Sequence, residues 1–336
     1  MNGDPTQTTL IQGLLLAFAV IVILMPAYIR VLRFFGMGKQ ILEEGPESHQ
    51  VKRGTPTMGG LLLIAVVVGL FVAMVGGIPP ILAGGGIIAP LATLLLVGLL
   101  GAFDDWLNAR TGEGISARQK MLWLVVVAGF AAYQIQTTYA IDSIAVPFIG
   151  TVMIHPAVYM LFAAFAIIAA ANGVNITDGL DGLAGGTLVF AFVAFVFVSL
   201  LNVPTQPNLA LLCALIVGAL LGFLWFNVHP AQIFMGDSGS LALGATLAVT
   251  ALITGQILIL PLVGLVFVIE TLSVIIQVAY FKATGGKRIF RMSPLHYHYE
   301  LIGWDEEKIT LRFWIIGIIA GLIGVTLFLA SIDRLQ

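Results

Sequence analysis

The chain of 336 residues has a single cysteine, Cys213. That excludes a disulfide framework and a cysteine metal cluster. Cys213 lies in an apolar stretch, where a small buried hydrophobe is expected. Charge is also scarce. Asp, Glu, Lys and Arg make up 10% of the residues, against about 25% in soluble globular domains. So little polar surface cannot coat a water-soluble globule of this length. The opening MNGDPTQTT carries no Lys or Arg ahead of the first apolar run, so a cleaved signal peptide is not expected. Internal repeats are absent, and so is the HExxH pattern of zinc peptidases.

Long apolar runs are what the chain does have. Hydrophobic residues reach 59% and the mean hydropathy is +1.05. At about 20 apolar residues per crossing, ten candidate spans fall near 9–30, 58–77, 86–103, 119–138, 157–172, 182–201, 208–226, 239–255, 257–281 and 310–331. The fifth is short, and very little chain joins the eighth to the ninth. Continuous apolar runs without alternation predict helices rather than a membrane barrel. The expected fold is an all-α integral membrane protein with about ten transmembrane helices, forming one polytopic catalytic domain over 1–336.

Basic residues orient these spans. Arg30, Arg33, Lys39, Lys52 and Arg53 lie between spans one and two. Arg110, Arg118 and Lys120 lie between three and four. Lys282, Lys287, Arg288, Arg291, Lys308 and Arg312 lie between nine and ten. Of the 15 Lys and Arg residues only Arg334 falls on the opposite side. The positive-inside rule makes the loaded side cytoplasmic and both termini extracytoplasmic. Asp104, Asp105, Asp178, Asp181 and Asp237 cluster on that same side, whereas the outside loops carry Asp4, Asp142 and Asp333. The outside segment AIDSIAVPFIG (140–150) is expected to form a small hairpin.

Five segments could carry chemistry. FDDW ends span three with Asp104 and Asp105, adjacent carboxylates that repel one another and oppose the helix dipole. Nothing nearby in the sequence compensates them, so a cation or substrate partner is expected; a solvated helix end is the plainer reading. NGVNITDGLDGLAGG (172–186) repeats Asn172, Asn175, Asp178 and Asp181 every third residue, which would share one helical face. The plainer reading there is a flexible loop with Asp181 capping the next helix. In NVHPAQIFMGDSGSLALG (227–244), Gly236-Asp237-Ser238 opens span eight. A helix N-terminus there could hold an anion and Asp237 could hold Mg²⁺; a simple cap by Asp237 or Ser238 is the alternative.

KRGTPTMGG (52–60) offers Lys52 and Arg53 to an anionic substrate, followed by Thr55, Thr57 and a glycine pair; an ordinary positive-inside loop is the alternative. SPLHYHYELIGWDEEK (293–308) reads as an interfacial helix. His296 and His298 are too few for a zinc site and fit polar or base recognition better. Glu270 and Gln277 sit seven apart in span nine, on one face, and either function or a structural hydrogen bond between helices accounts for them. A glycine or polar interruption in that span could open a lipid groove.

Taken together these segments resemble the polyprenyl-phosphate N-acetylhexosamine-1-phosphate transferase superfamily, and most closely its phospho-N-acetylmuramoyl-pentapeptide transferase branch. The resemblance runs in order through KRGTPTMGG, FDDW, NGVNITDGLDGLAGG, FMGDSGSLALG and LHYHYELIGW. Two positions depart from it. The family usually has three consecutive histidines where this chain has His296-Tyr297-His298, and often a lysine where it has Asn108.

The resemblance implies transfer of phospho-MurNAc-pentapeptide from UDP-MurNAc-pentapeptide to undecaprenyl phosphate, releasing UMP and forming lipid I for peptidoglycan, with Mg²⁺ as cofactor. It implies Asp104, Asp105 and Asp237 as catalytic, with Asp237 the metal ligand and Asp104 deprotonating or positioning the lipid phosphate. It implies a substrate site of Lys52, Thr57, Lys120, Asn172, Asn175, Asp178, Asp181, Asn227, Phe234, Ser240, Gln277 and His296. Phe234 could stack on uracil. The implied setting is the bacterial cytoplasmic membrane, with the bilayer and a second copy of the chain as partners and no nucleic acid. The alternatives are a UDP-GlcNAc-using relative or a secondary transporter. A transporter would gather its polar groups near the midplane in paired repeats, whereas here they lie on one side.

Overall fold

The computed structural model describes residues 5–38, 52, 54–78, 86–139, 143–146 and 150–332. Lys39, Arg53, Arg334, Asp4, Asp142 and Asp333 lie outside the described residues. The first half comprises α1 (Gln7–Phe34), α2 (Gly59–Met74), α3 (Ile88–Thr111), α4 (Ala117–Tyr139), the strands β1 (Ser143–Val146) and β2 (Gly150–Met153), and α5 (Pro156–Thr177). Then follow α6 (Leu183–Leu201), α7 (Pro207–Asn227), α8 (Gly236–Ile253), α9 (Leu260–Val263), α10 (Leu265–Ala283), α11 (Leu295–Leu301) and α12 (Glu306–Ile332). The expected hairpin is present, with β1 antiparallel to β2 and Ile144 opposite Val152.

Among the described residues 9 helices are long and apolar enough to cross a membrane, and α2 adds a shorter apolar helix. The protein is a multi-pass, all-helical membrane protein, apart from the hairpin. The short span is therefore the second rather than the fifth. α2 has 16 residues, about 24 Å at 1.5 Å per residue. α5 has 22 residues, because the helix continues through Asn172 and Asn175 instead of ending where the apolar run ends. In-register backbone hydrogen bonds carry the polar segment as an extra turn.

α8 is the most enclosed helix, with 89% of its apolar window buried. Its sequence GDSGSLALGATLAVTA is made mostly of small residues, which let helices approach closely in a membrane. A Cβ on Gly60 of α2 would lie 2.1 Å from the Gly239 backbone nitrogen, and one on Gly101 of α3 would lie 2.3 Å from the Asp237 carbonyl carbon. On a third side a Cβ on Gly244 would meet the Ala170 carbonyl oxygen of α5 at 2.5 Å. The hydroxyls of Thr246, Thr250 and Thr254 donate to carbonyls one turn back, so none is left bare in the apolar core.

The ninth span is broken. α9 stops at Val263, Gly264 leaves helical geometry (φ −94°, ψ 27°), and α10 starts at Leu265. α10 turns Leu272, Ile275, Ile276 and Val278 outward and buries Glu270, Ser273 and Gln277 on its other face. The expected glycine interruption is thus Gly264.

Candidate active site

Helix ends from one side of the bundle converge on Asp237, in the first turn of α8. Lys120, in the first turn of α4, donates to Asp237 Oδ2 at 2.5 Å and to Asp104 Oδ2 at 2.9 Å. Asn175, in the last turn of α5, donates from Nδ2 to Asp237 Oδ1 at 2.8 Å and shares Ser240 Oγ at 2.9 Å. The other oxygen of Asp104 accepts the Ile115 N–H at 2.6 Å. The lysine answers the question raised by the FDDW pair: the compensating charge for Asp104 comes from the next helix, 16 residues on. Asp104 is buried, whereas the Asp237 side chain is 22% exposed.

Asp105 plays a different part from its neighbour. Its Oδ1 accepts the Asp237 N–H at 3.0 Å and its Oδ2 the Ser238 N–H at 3.1 Å. A carboxylate of α3 therefore caps the N-terminus of α8, where negative charge also complements the helix dipole. Neither Asp237 nor Ser238 caps its own helix, since Met235 is the N-cap and makes no side-chain cap bond. The donors expected to receive a substrate anion are in part taken by Asp105. Gly236 makes room for this cap: it has φ +73°, and a Cβ there would lie 2.3 Å from Asp105 Oδ2.

The segment 54–60 runs beside the residues just ahead of α8. Phe234 N–H donates to the Pro56 carbonyl at 2.8 Å, and Gly59 N–H donates to the Phe234 carbonyl at 2.9 Å. Thr57 is buried, its N–H bonded to the Met37 carbonyl at 3.0 Å. Phe234 is half-buried at the rim. Met58 takes the left-handed conformation at the start of α2 (φ 75°), and Tyr28 donates to its carbonyl at 3.0 Å.

A second polar network lies beyond the end of α5. Lys52 Nζ donates to Asp181 Oδ1 at 2.8 Å and to Glu306 Oε1 at 2.5 Å. Asp181 Oδ2 accepts the Ala231 N–H at 3.0 Å and meets His229 Nδ1 at 3.0 Å. Glu306 Oε1 also accepts the Asp181 N–H at 2.6 Å. The four groups Asn172, Asn175, Asp178 and Asp181 consequently do not share one face. The helical register lasts only to Thr177. Asn172 donates back to the Ile168 carbonyl at 2.8 Å, Asp178 is the C-cap of α5, and Asp181 turns into the Lys52 network. Nor does Asp181 cap α6, whose N-cap is Gly182 in the left-handed region. Asn227 is buried and uses both ends on backbone, accepting from Gly182 N–H at 3.1 Å and donating to the Ile233 carbonyl at 2.9 Å. In the sequence Glu306 shows only as an acidic helix start, so its part in this network is not legible there. His229 appears only as a loop residue before Pro230.

A third cluster joins α10 to α11. The short helix α11 turns His296 inward with 0% exposure, against Glu270, also 0% exposed. His296 Nδ1 lies 3.1 Å from Glu270 Oε2. Gln277 clips the connecting loop through both amide atoms: Oε1 accepts from Ile289 and Phe290 N–H, each at 3.0 Å, and Nε2 donates to the Phe290 carbonyl at 3.0 Å. Tyr297 packs edge-on to His296 at 4.2 Å between ring centroids. Burial pushes its phenol up to about 12, and the carboxylates of Glu300, Asp178, Glu306 and Glu270 add to the shift.

Two of these clusters could hold a cation. Asp237 and Asp104 bring carboxylate oxygens together at a partly exposed position, with Ser240 Oγ joined to Asp237 through the Asn175 amide, and such oxygens are the donors a hard divalent ion prefers. Asp181, His229 and Glu306 also bring ligand atoms within 4.8 Å of one another. A lysine ammonium contacts two carboxylates in each cluster, Lys120 in the first and Lys52 in the second, but here His229 supplies a softer nitrogen. The oxygen cluster fits Mg²⁺ better.

Residues 87–255 match the model of glycosyl transferase family 4. Residues 52–64, which hold Lys52 and Thr57, match phospho-N-acetylmuramoyl-pentapeptide-transferase signature 1. A phospho-N-acetylmuramoyl-pentapeptide-transferase of Desulfosudis oleivorans is 43% identical, over 94% of this chain and 91% of its own length. One of Shouchella clausii is 43% identical over 95% and 97%, and one of Chloroflexus aurantiacus is 41% identical over 93% and 88%. The chain belongs to the phospho-N-acetylmuramoyl-pentapeptide-transferase family.

Proposed function

We propose that this protein transfers phospho-MurNAc-pentapeptide from UDP-MurNAc-pentapeptide to undecaprenyl phosphate, forming lipid I and UMP for peptidoglycan synthesis. One observation carries the reading: Asp237, Asp104, Asn175, Ser240 and Lys120 meet where α3, α4, α5 and α8 converge. A lipid phosphate and a soluble nucleotide can both reach such a position at a membrane face. The basic loops make that face cytoplasmic and both termini extracytoplasmic, in the cytoplasmic membrane of a bacterium. The whole chain acts as a single catalytic domain, since residues from α3, α4, α5 and α8 all contribute.

In the reaction an oxygen of the lipid phosphate bonds to the sugar phosphorus, and the bond from that phosphorus to UMP breaks. Little covalent work falls to the protein; positioning and charge compensation dominate phosphoryl transfer. Asp237, with Asp104 beside it, would hold Mg²⁺, which when bound neutralises diphosphate oxygens and stabilises the departing UMP. Lys120 keeps the two carboxylates together in the absence of that charge, and its ammonium can turn to a phosphate oxygen when they are otherwise engaged. Asp104 holds the lipid phosphate in line or takes its proton. Asp105 holds the start of α8, so that Asp237 is aimed by backbone rather than by its own flexibility. Lys52, Asp181 and Phe234 form the nucleotide side, with Thr57 and Asn227 fixing the backbone beneath. Leu272, Ile275 and Ile276 on α10, below the break at Gly264, offer an apolar track for the prenyl chain.

The test is UMP release in bilayers containing undecaprenyl phosphate, with UDP-MurNAc-pentapeptide or UDP-GlcNAc, and with or without Mg²⁺. Release is expected only with the muramoyl donor, the lipid and the metal together. Equal or better release with UDP-GlcNAc would assign the chain to the other donor, and solute flux without product would make it a transporter.

A further inference from the structure

Glu270 lies inside α10, and an ionisable residue buried within a membrane span calls for a partner. That partner is His296. Glu270 Oε2 is 3.1 Å from His296 Nδ1 and 3.4 Å from the His296 backbone nitrogen, so one carboxylate oxygen meets both the ring and the main chain of α11. Ser273 Oγ donates to the Glu270 carbonyl at 2.6 Å and reinforces the same turn. One turn further on, Gln277 holds the loop leading to α11. The inner face of α10 thus carries two polar hooks, one on the loop and one on the histidine.

The far side of the ring is not satisfied. His296 Nε2 is buried without a hydrogen-bond partner among the described residues. It presses on the turn at Gly179: a Cβ built there would lie 2.3 Å from Nε2 and 3.0 Å from the Tyr297 hydroxyl. Gly179 has no positive φ, so glycine is needed there for space rather than for backbone conformation. Fixing one ring nitrogen of a histidine sets the orientation of the other. The ring therefore has one nitrogen clamped from inside the membrane and the other held against the Asp178–Asp181 turn, which carries the Lys52 network.

We propose that Glu270 is a positioning residue for the nucleotide-sugar donor: it clamps His296 so that Nε2 bonds a polar atom of the donor when the donor seats on the 178–181 turn. This rests on the transferase reading above. Glu270 touches no substrate itself and acts through His296 alone.

The experiment compares Glu270→Ala, Glu270→Gln, His296→Ala and the double variant Glu270→Ala/His296→Ala in the full chain, in bilayers. It measures UMP release with donor and lipid varied separately. E270A is expected to lower kcat/KM for the donor by on the order of a hundredfold, the scale of a misplaced contact, with the lipid KM unchanged. E270Q, whose amide oxygen can still accept from Nδ1, should recover much of that. In the H296A background, E270A should cost nothing more, since residues acting as a unit are non-additive. An equal further loss there, or a loss common to both substrates, overturns the proposal in favour of a structural role.

Full activity in H296A removes both residues from the site while leaving the transferase reading intact. A histidine-selective ¹⁵N spectrum, with His296 assigned by H296A, checks the clamp apart from turnover. E270A must shift the His296 ring resonances alone. An unmoved His296 signal overturns the clamp even where no UMP is released.

Discussion

The carboxylate of Asp105 spans the backbone N–H groups of Asp237 and Ser238 at 3.0 and 3.1 Å. One acid of the FDDW pair thereby sets the position of the acid that faces the candidate cation site. Adjacent in sequence, Asp104 and Asp105 serve different masters: one pairs with Lys120, the other caps a helix.

Asp105→Ala is expected to act first on stability. It leaves two backbone donors without an acceptor, the Ser238 N–H fully buried, and each such loss costs about 1–3 kcal/mol. The thermal midpoint of the purified protein should fall markedly, and turnover should fall with it. An unchanged midpoint would show that α8 finds another cap.

Asp237→Asn should do the reverse. The backbone cap from Asp105 stays, and an amide at position 237 can still bond Asn175. The thermal midpoint should hold within a few degrees while Mg²⁺-dependent UMP release disappears. Retained release would take Asp237 out of the metal site.

Lys120→Met removes the ammonium that contacts Asp237 and Asp104. Two unit charges about 4 Å apart interact by about 4 kcal/mol at an effective dielectric of 20, so the freed carboxylates should bind a divalent ion more tightly. Mn²⁺ titration followed by EPR is expected to show at least about a tenfold gain in affinity together with a loss of turnover. Weaker Mn²⁺ binding would mean that Lys120 organises the site instead of competing for it.

Tyr297 gives a prediction in pH. Burial raises its phenol to about 12, so it stays neutral through the working range. The stability tied to its protonated form is whole below about pH 10, the ordinary value, and is lost as pH climbs through 12. Tyr297→Phe should therefore track the parent in rate against pH from about 6 to 9. Tyr297→His introduces a group that gains charge below about pH 6.5, beside the carboxylates of Asp178, Glu300, Glu306 and Glu270. Its rate relative to the parent should change across that value. A flat ratio would show that position 297 does not face the reaction.

Much of the membrane architecture is legible in the chain. Hydropathy marks the spans because lipid admits only long apolar helices, and the helices start and stop near the expected residues. The exceptions have local causes. α5 runs on to Thr177 because Asn172 and Asn175 can be carried as one more helical turn, whereas hydropathy sees only polarity. The shortness of α2 is hidden because Val75 to Ile78 add no charged or strongly polar residue to mark its end. The interruption of the ninth span is visible as Gly264, but a glycine in a span need not break it, and here the packing of α9 and α10 does.

For the site, residue chemistry marked Asp104, Asp237 and Asn175 as candidates, because carboxylates and amides at span ends are costly unless used, and the family resemblance then gave them roles. The pairings were beyond its reach. Lys120 could have been any positive-inside lysine, and Glu306 any acid at a helix start. The regular spacing from Asn172 to Asp181 pointed to a single face, but a helix ending at Thr177 sends Asp181 to Lys52 and His229 instead.

The residues alone set the solvent this protein folds in, the approximate places of its apolar spans and the polar motifs gathered between them. Those depend on composition and on the cost of a bare peptide group in lipid, both local properties. Only the tertiary structure decided what each acid of FDDW does. That choice rests on helices brought together through Gly60, Gly101 and Gly239, where the absence of side chains lets α8 come close enough for a carboxylate on α3 to reach its first amides.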